Sequence, residues 1–241
     1  MHVIVDGAKR QLHRDIVDNP SLHGRVLNLY LNGEAYPHWV SDYFPIAHVE
    51  APELAAKMRQ HIADENKHIA LYKAAIEKMG QPIIEDLPHS FIFNSVVRHY
   101  TPVSWAIYDN HDADSKRLKL AHFLAHAHCL EKRVARSLDY HLEACEQRAH
   151  SPYIAKAVGA VLADEYRHIA YTVEAIHDLL PTTSAQALLR IHQLAERRGN
   201  LDFSASQLKR LLQENRADWP SSHRYFYRFC SLAMRTLLFF D

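Results

Sequence analysis

The octet Ala63-Asp64-Glu65-Asn66-Lys67-His68-Ile69-Ala70 returns as Ala163-Asp164-Glu165-Tyr166-Arg167-His168-Ile169-Ala170, with six of eight positions identical and a seventh exchanging Lys for Arg. A repeat this close between such distant segments predicts two corresponding elements related by internal two-fold symmetry. Both copies lie in long stretches rich in Ala, Leu, Glu, Lys and Arg with apolar residues at helical spacing, and the chain has only 6 glycines. The elements are therefore expected to be helices and the fold all-α. On a helix, Glu and His three positions apart project from one face about one turn apart. An anionic oxygen and a neutral imidazole can then hold one metal ion from a single rigid element.

The Glu-x-x-His spacing alone is weak. With 19 histidines and about a dozen glutamates, roughly one match arises by chance. Glu174 to His177 is such a match: Glu174 lies nine residues after Glu165, roughly 180° around the helix, and points away from the face shared by Glu165 and His168. The extended repeat is what singles out the other two copies.

Proline and capping signals divide the chain. A first helix is expected to start after Asn19-Pro20-Ser21 and run toward Trp39. A second runs from about Pro52 to Gly80, a residue suited to a helix C-terminus. A third opens near Asp112 to Ser115 and reaches about Glu146. A fourth starts at Ser151-Pro152, as cap and first helical residue, and ends before Pro181. Two shorter helices are expected from Thr183 or Ser184 and from Ser204 or Ser206, and a last one after Pro220-Ser221. The connection from Gly80 to about Asp112 carries three prolines, with Phe91 to His99 as a short helix within it. Two antiparallel hairpins joined by one long crossover form the ferritin-like four-helix bundle, expected over residues 21–180 of a single domain spanning 1–241. Residues 181–241 would be a C-terminal helical extension packed on it.

A carboxylate-bridged pair of metals in such a bundle needs one further Glu from each remaining helix. Ligands at equal height on a hairpin lie equally far from its turn. The midpoint of Glu34 and Glu65 falls near residues 49 and 50, inside the Pro45–Pro52 turn; that of Glu131 and Glu165 is residue 148, just before Ser151-Pro152. Elimination agrees: Glu34 is the only glutamate before residue 50, and Glu131 the only one between Glu85 and Glu143. Glu50 and Glu53 would sit roughly 18–22 Å from Glu65 along the helix. Both selected residues share a face with apolar neighbours, Leu27, Tyr30 and Leu31 for Glu34 and Leu124, Ala127, Ala135 and Leu138 for Glu131, where an unpaired carboxylate is costly. The expected ligands are Glu34, Glu65, His68, Glu131, Glu165 and His168. Mixed carboxylate and imidazole donors suit iron or manganese, with zinc as a further alternative.

Composition narrows the function classes. Lys plus Arg and Asp plus Glu both number 28, so no basic excess argues for nucleic acid. The N-terminus lacks the apolar core of a signal peptide, and the most apolar stretch, Phe229 to Phe240, is short and carries Arg235. No membrane association is expected. The three cysteines, Cys129, Cys145 and Cys230, are too dispersed for a disulfide framework or a thiolate metal knuckle, and their sparse use fits a cytoplasmic protein. The C-terminal run of Tyr225, Phe226, Tyr227, Phe229, Phe239 and Phe240 reads as core or as the surface of a homodimer rather than as a substrate channel.

The segments Asp64-Glu65-Asn66-Lys67-His68 and Asp164-Glu165-Tyr166-Arg167-His168 resemble the D-E-x-R-H pattern of non-haem di-iron carboxylate proteins, among them monooxygenase hydroxylase components and soluble acyl-carrier desaturases. The second copy fits fully; the first has Lys67 where the pattern has Arg. The resemblance covers about residues 21–180 and implies two iron ions on the six ligands. It also implies that Asp64 and Asp164 hold the imidazoles from behind by hydrogen bonds. The cysteine cluster usual in rubrerythrins is absent, and cage-forming ferritins lack the extra C-terminal helices. N-oxygenases with a seventh histidine ligand place it four before the second Glu, where this chain has Val161. His61, four before Glu65, is an added ligand on the other half or a residue supporting the ligands, and the supporting role is the expectation. His128 and His38 are likewise expected to hydrogen-bond near the site. Tyr30, Tyr72 and Tyr171 fall close to it as core aromatics, with a redox-active tyrosine as the alternative.

The functional expectation is an oxidoreductase in which two Fe(II) ions activate dioxygen or peroxide to oxidise a small organic substrate. With no flavin or nicotinamide fingerprint, electrons would come from a donor protein or small reductant. The alternatives are an iron-handling or non-catalytic metal-binding protein, a ferroxidase or sensor, and a helical interaction protein whose Glu and His residues only hydrogen-bond.

Overall fold

The computed structural model describes residues 2–41, 43–148, 152–215 and 219–240, with side chains from residue 5 onward. Among them are eight α-helices and no strand: α1 (His2–Ile16), α2 (Pro20–Trp39), α3 (Pro52–Lys78), α4 (Phe93–Tyr100), α5 (Ala113–Glu146), α6 (Pro152–Leu179), α7 (Thr182–Glu214) and α8 (Ser221–Phe240). No described helix is long and apolar enough to cross a membrane.

Local chemistry sets several boundaries. The Asn19 side chain accepts from Leu22 N at 3.1 Å to start α2, and Asp112 from Ser115 N at 2.8 Å to start α5. Gly80, at φ +67°, ends α3; Gly80 N donates to Glu77 O and Gln81 N to Ile76 O, so the last carbonyls are satisfied. Ser151, expected to cap α6, lies outside the described residues. α2 continues past Gly33 and Pro37 to Trp39, which keeps Glu34 helical.

Helices α2, α3, α6 and α5 are neighbours in that cyclic order, each antiparallel to the next. On α3 and α6 the ion pairs Lys57–Glu174 and Arg167–Asp64 run in opposite directions along the two elements. Tyr30 against Tyr72 and Glu34 against His68 do the same for α2 and α3, Tyr166–Asp139 and His128–Ile169 for α5 and α6, and the rings of His23 and His141 begin the α2–α5 contact. The consequence is that α3 and α5 point the same way, so the connection between them travels the length of the helices. Buried Asn28 and Asn32 of α2 hold that connection. Asn28 accepts from Ile84 N (2.6 Å) and donates to Pro82 O (3.0 Å); Asn32 accepts from Leu87 N (3.0 Å) and donates to Ile84 O (2.7 Å). Two side-chain amides thus satisfy an extended backbone that lacks a strand partner.

Three features differ from the sequence expectation. Helix α1 was not anticipated; Val5, Ala8, Leu12 and Ile16 form its buried stripe. The two short helices expected after Pro181 are one, α7, in which Ser204 and Ser206 are interior and bond back to Asn200 and Asp202 one turn earlier. Gly199 survives mid-helix because α4 packs there: a Cβ would stand 2.8 Å from Val97 Cα. Finally, the C-terminal aromatic run divides. Tyr227 is buried, whereas Tyr225, Phe229, Phe239 and Phe240 are exposed on α8.

Two apolar cores flank a polar layer. One gathers Leu27, Tyr72, Leu138 and Val158 with residues of α1, α7 and α8; the other gathers Tyr43, Met58, Trp105, Phe123 and Ile176. Between them lie the buried acids and imidazoles.

Candidate metal centre

Glu34 comes from α2, Glu65 and His68 from α3, Glu131 from α5, and Glu165 and His168 from α6; all six are buried. The fold brings all six together. Glu34, Glu65 and His68 offer donor atoms within 4.8 Å of one another, as do His61, Glu65, Glu131 and His168. Glu65 belongs to both groups. Glu165 lies between the two imidazoles, 3.1 Å from His168 Nδ1 and 3.7 Å from His68 Nδ1. The donors therefore form two adjacent nests with two carboxylates placed between them.

The two aspartates reach across rather than along their helices. His68 Nε2 donates to Asp164 at 3.0 Å, and His168 Nε2 donates to Asp64 at 3.3 Å. Each imidazole is thereby held with Nδ1 turned toward the glutamates. Lys67 pairs with both aspartates, and Arg167 pairs with Asp164 at 2.5 Å and Asp64 at 3.1 Å. Burial pushes both aspartates up, but their hydrogen bonds prevail: Gln60, His168 and Lys67 lower Asp64, and Lys67, His68 and Arg167 hold Asp164 at about 2. Lys and Arg serve the same purpose at the variable position of the repeat.

His61 stands among the glutamates instead of behind them. Its Nε2 is 2.9 Å from Glu65 and 3.5 Å from Glu131, its ring stacks on His168 at 3.6 Å, and its Nδ1 hydrogen-bonds Tyr171 at 2.8 Å. It has the position of a donor on the Glu131 side. His128 turns elsewhere, its Nδ1 3.1 Å from Ile169 O and 3.3 Å from Thr172, and His38 is exposed near the end of α2. Tyr72 is fully buried against Tyr30, and both hydroxyls lack a hydrogen-bond partner.

The glutamates divide in charge. Burial raises all four. In Glu34 it is outweighed by the hydrogen bond and charge of His68, and in Glu131 by His61 and His168, which hold it at about 2. Glu65 and Glu165 go well above the usual carboxylate range, through burial and then repulsion from Glu34 and Glu131 respectively. Each hairpin thus pairs one glutamate lowered by histidine with one raised by burial and by its neighbour's charge. His68 is raised, its burial outweighed by Glu34 and Asp164, while burial and neighbouring His61 bring His168 to about 4. Two neighbouring acid pairs with imidazole nitrogens turned toward them are what a pair of divalent cations would neutralise.

A cavity of about 110 Å³ adjoins the cluster between α2 and α5. Glu34, Glu65, Glu131 and His61 form part of its wall; apolar side chains such as Phe123, Leu130 and Val134 form much of the rest. Sequence reasoning missed this space because its residues are indistinguishable from core. It also missed a second buried grouping, in which His23, His141 and Cys145 offer donor atoms within 4.8 Å of one another. His23 and His141 are joined by a 2.7 Å hydrogen bond and His13 stacks on His141.

Comparison of the chain with protein-family models, curated proteins and solved structures finds no match.

Proposed function

We propose that this chain is a ferritin-like di-metal oxidoreductase, with two iron ions held by Glu34, Glu65, His68, Glu131, Glu165 and His168, and His61 as an additional donor. The observation that carries the reading is the reciprocal arrangement of the repeat, in which Asp64 orients His168 and Asp164 orients His68 around two nests that share Glu65. A set of hydrogen-bonding residues with no metal role has no need of four converging buried glutamates, two of them raised well above the usual carboxylate range.

The donor set is oxygen-rich with imidazole and no thiolate, which suits iron or manganese over softer ions. Such ions, when bound, supply the redox chemistry for dioxygen or peroxide. The chain's own part is positional. Asp64 and Asp164 fix the imidazoles, Glu65 and Glu165 would give up their protons to bound cations, and the flanking apolar cores exclude water. The adjoining cavity favours oxidation of an organic substrate over iron storage, since a ferroxidase needs only a path for ions.

Metal analysis after anaerobic loading with Fe(II) tests the assignment. Close to two ions per chain are expected, falling to about one or fewer in Glu165→Ala; fewer than one in the wild type overturns it. Oxygen exposure of the Fe(II) protein separates the two roles. Oxygen uptake without ferric mineral fits an oxidoreductase, and accumulation of mineral fits iron handling.

A further inference from the structure

The cavity beside the acid cluster is not closed by apolar side chains alone at its other end. Lys9 of α1 lines it there, with Leu12, Ser137 and Leu138. The Lys9 ammonium donates to Ser137 Oγ (3.2 Å) and Asn200 Oδ1 (3.0 Å) and has no carboxylate partner among the described residues. The two nearby acids are engaged elsewhere: Asp6 with Arg133 (3.3 Å) and Arg136 (2.6 Å), Glu196 with Arg133 (2.6 Å). Burial, with the Arg133 charge adding to it, brings Lys9 down to about 7. A cation at the end of an apolar cavity with no carboxylate in direct contact is costly unless an anion comes to it.

Two further observations show that the space is built to be filled. Gly33 faces the cavity from the interior of α2, and a Cβ there would meet nothing within 4 Å. A glycine inside a helix costs roughly 1 kcal/mol relative to alanine, and here it keeps the wall thin. The buried hydroxyls of Tyr30 and Tyr72 line the same cavity without a partner. From Ser137 to Glu131 is six residues of α5, about 9 Å along the axis.

We infer that the cavity binds an amphiphilic monocarboxylic acid, its carboxylate on the Lys9 ammonium and its apolar body lying past Gly33 toward Glu34 and Glu131. An extended medium-length acyl chain or a short-armed aromatic ring spans that length. The inference rests on the metal-centre reading only for which end of the acid would react; binding by itself needs no metal.

Calorimetric titration of metal-free protein with octanoate, 1-octanol and 1-octylamine tests it. Octanoate should bind saturably, at about 1 mM or tighter, and at least roughly tenfold more tightly than the amine or the alcohol. Lys9→Gln should lose about tenfold or more in octanoate affinity while its octanol affinity holds, and Lys9→Arg should retain octanoate binding. Gly33→Leu should weaken acid and alcohol alike by filling the space. No binding of octanoate to the wild type, equal affinity for octanoate and octylamine, or unchanged octanoate affinity in Lys9→Gln overturns the proposal. The wild-type comparison of acid and amine stands even where a variant fails to fold. Failure of the metal reading shows instead in metal content, measured separately.

Discussion

Asp64 on α3 accepts a 3.3 Å hydrogen bond from Nε2 of His168 on α6, the helix that carries the other copy of the repeat. The reciprocal bond from His68 to Asp164 is 3.0 Å. Removing either aspartate frees the imidazole of the opposite helix. Asp64→Asn and Asp164→Asn should each lower metal affinity by about 10–100-fold, read by competition with a chelating dye. Unchanged affinity in both would show that the imidazoles are held by other means.

Glu165→Gln separates binding from folding. The amide mimics the protonated acid that the metal-free centre already prefers, and it removes the penalty of ionising a buried carboxylate beside Glu131. The metal-free variant should equal or exceed the wild type in stability near pH 8, by on the order of 1 kcal/mol, while losing metal uptake. Denaturant titration of the metal-free proteins checks it; a loss of several kcal/mol would mean the carboxylate makes an essential structural contact.

The pH dependence follows from the raised groups. A carboxyl whose folded pKa is raised, as for Glu65 and Glu165, contributes stability that is full below its unfolded value and is lost as pH rises through the folded value. Glu131 acts oppositely: its contribution is present above the usual carboxylate range and disappears as pH falls toward its folded value of about 2. Metal-free protein should therefore lose stability as pH rises through the range above the ordinary carboxylate value, where Glu65 and Glu165 give up their protons. Metal binding should release protons and tighten with pH. Melting curves with and without Zn(II), from about pH 5 to about pH 8, should diverge steadily. Parallel curves would contradict the proton assignment.

Gly199 tests the packing of α4 on α7. Alanine there would gain up to about 1 kcal/mol of helix propensity, but its Cβ meets Val97 Cα at 2.8 Å. Backbone overlap of this kind costs roughly 1–3 kcal/mol, so a net destabilisation is expected in urea unfolding. A stabilised Gly199→Ala would mean that α4 can move away freely.

The buried amides of α2 give a further measure. Asn32→Ala leaves Leu87 N and Ile84 O without their partner and should cost about 1–3 kcal/mol, with faster amide exchange in the crossover. Exchange that stays slow around Leu87 would show that the crossover is held without α2.

What could be seen beforehand was local. Asn19 and Asp112 as caps, Gly80 as terminator, and the prolines at 20, 52 and 152 act on neighbouring backbone, so the bounds of α2, α3 and α5 could be anticipated, as could the start of α6 at Pro152 and its end at Leu179. The meeting of Glu34 and Glu131 with the repeat followed from equal distances to two turns, which is arithmetic on helix rise. Helix α1 was missed although its apolar stripe is regular, because no cap marks it and its stability comes from what it packs against. The break expected within α7 failed because the serines that suggest it bond back to Asn200 and Asp202, partners that are in reach only once the helix is formed.

The sequence by itself determined helices α2, α3, α5 and α6 and the acids and imidazoles they carry, since periodicity, caps and a repeated octet are properties of contiguous residues. Only the tertiary structure decided which residue serves which. Asp64 holds the imidazole of the other repeat, His61 is drawn among the glutamates by Tyr171, and Lys9 lines a cavity shared with Glu131, more than a hundred residues away along the chain. Each of these depends on the direction a side chain takes once another helix packs against it, and the spacing of residues along a chain carries no record of that.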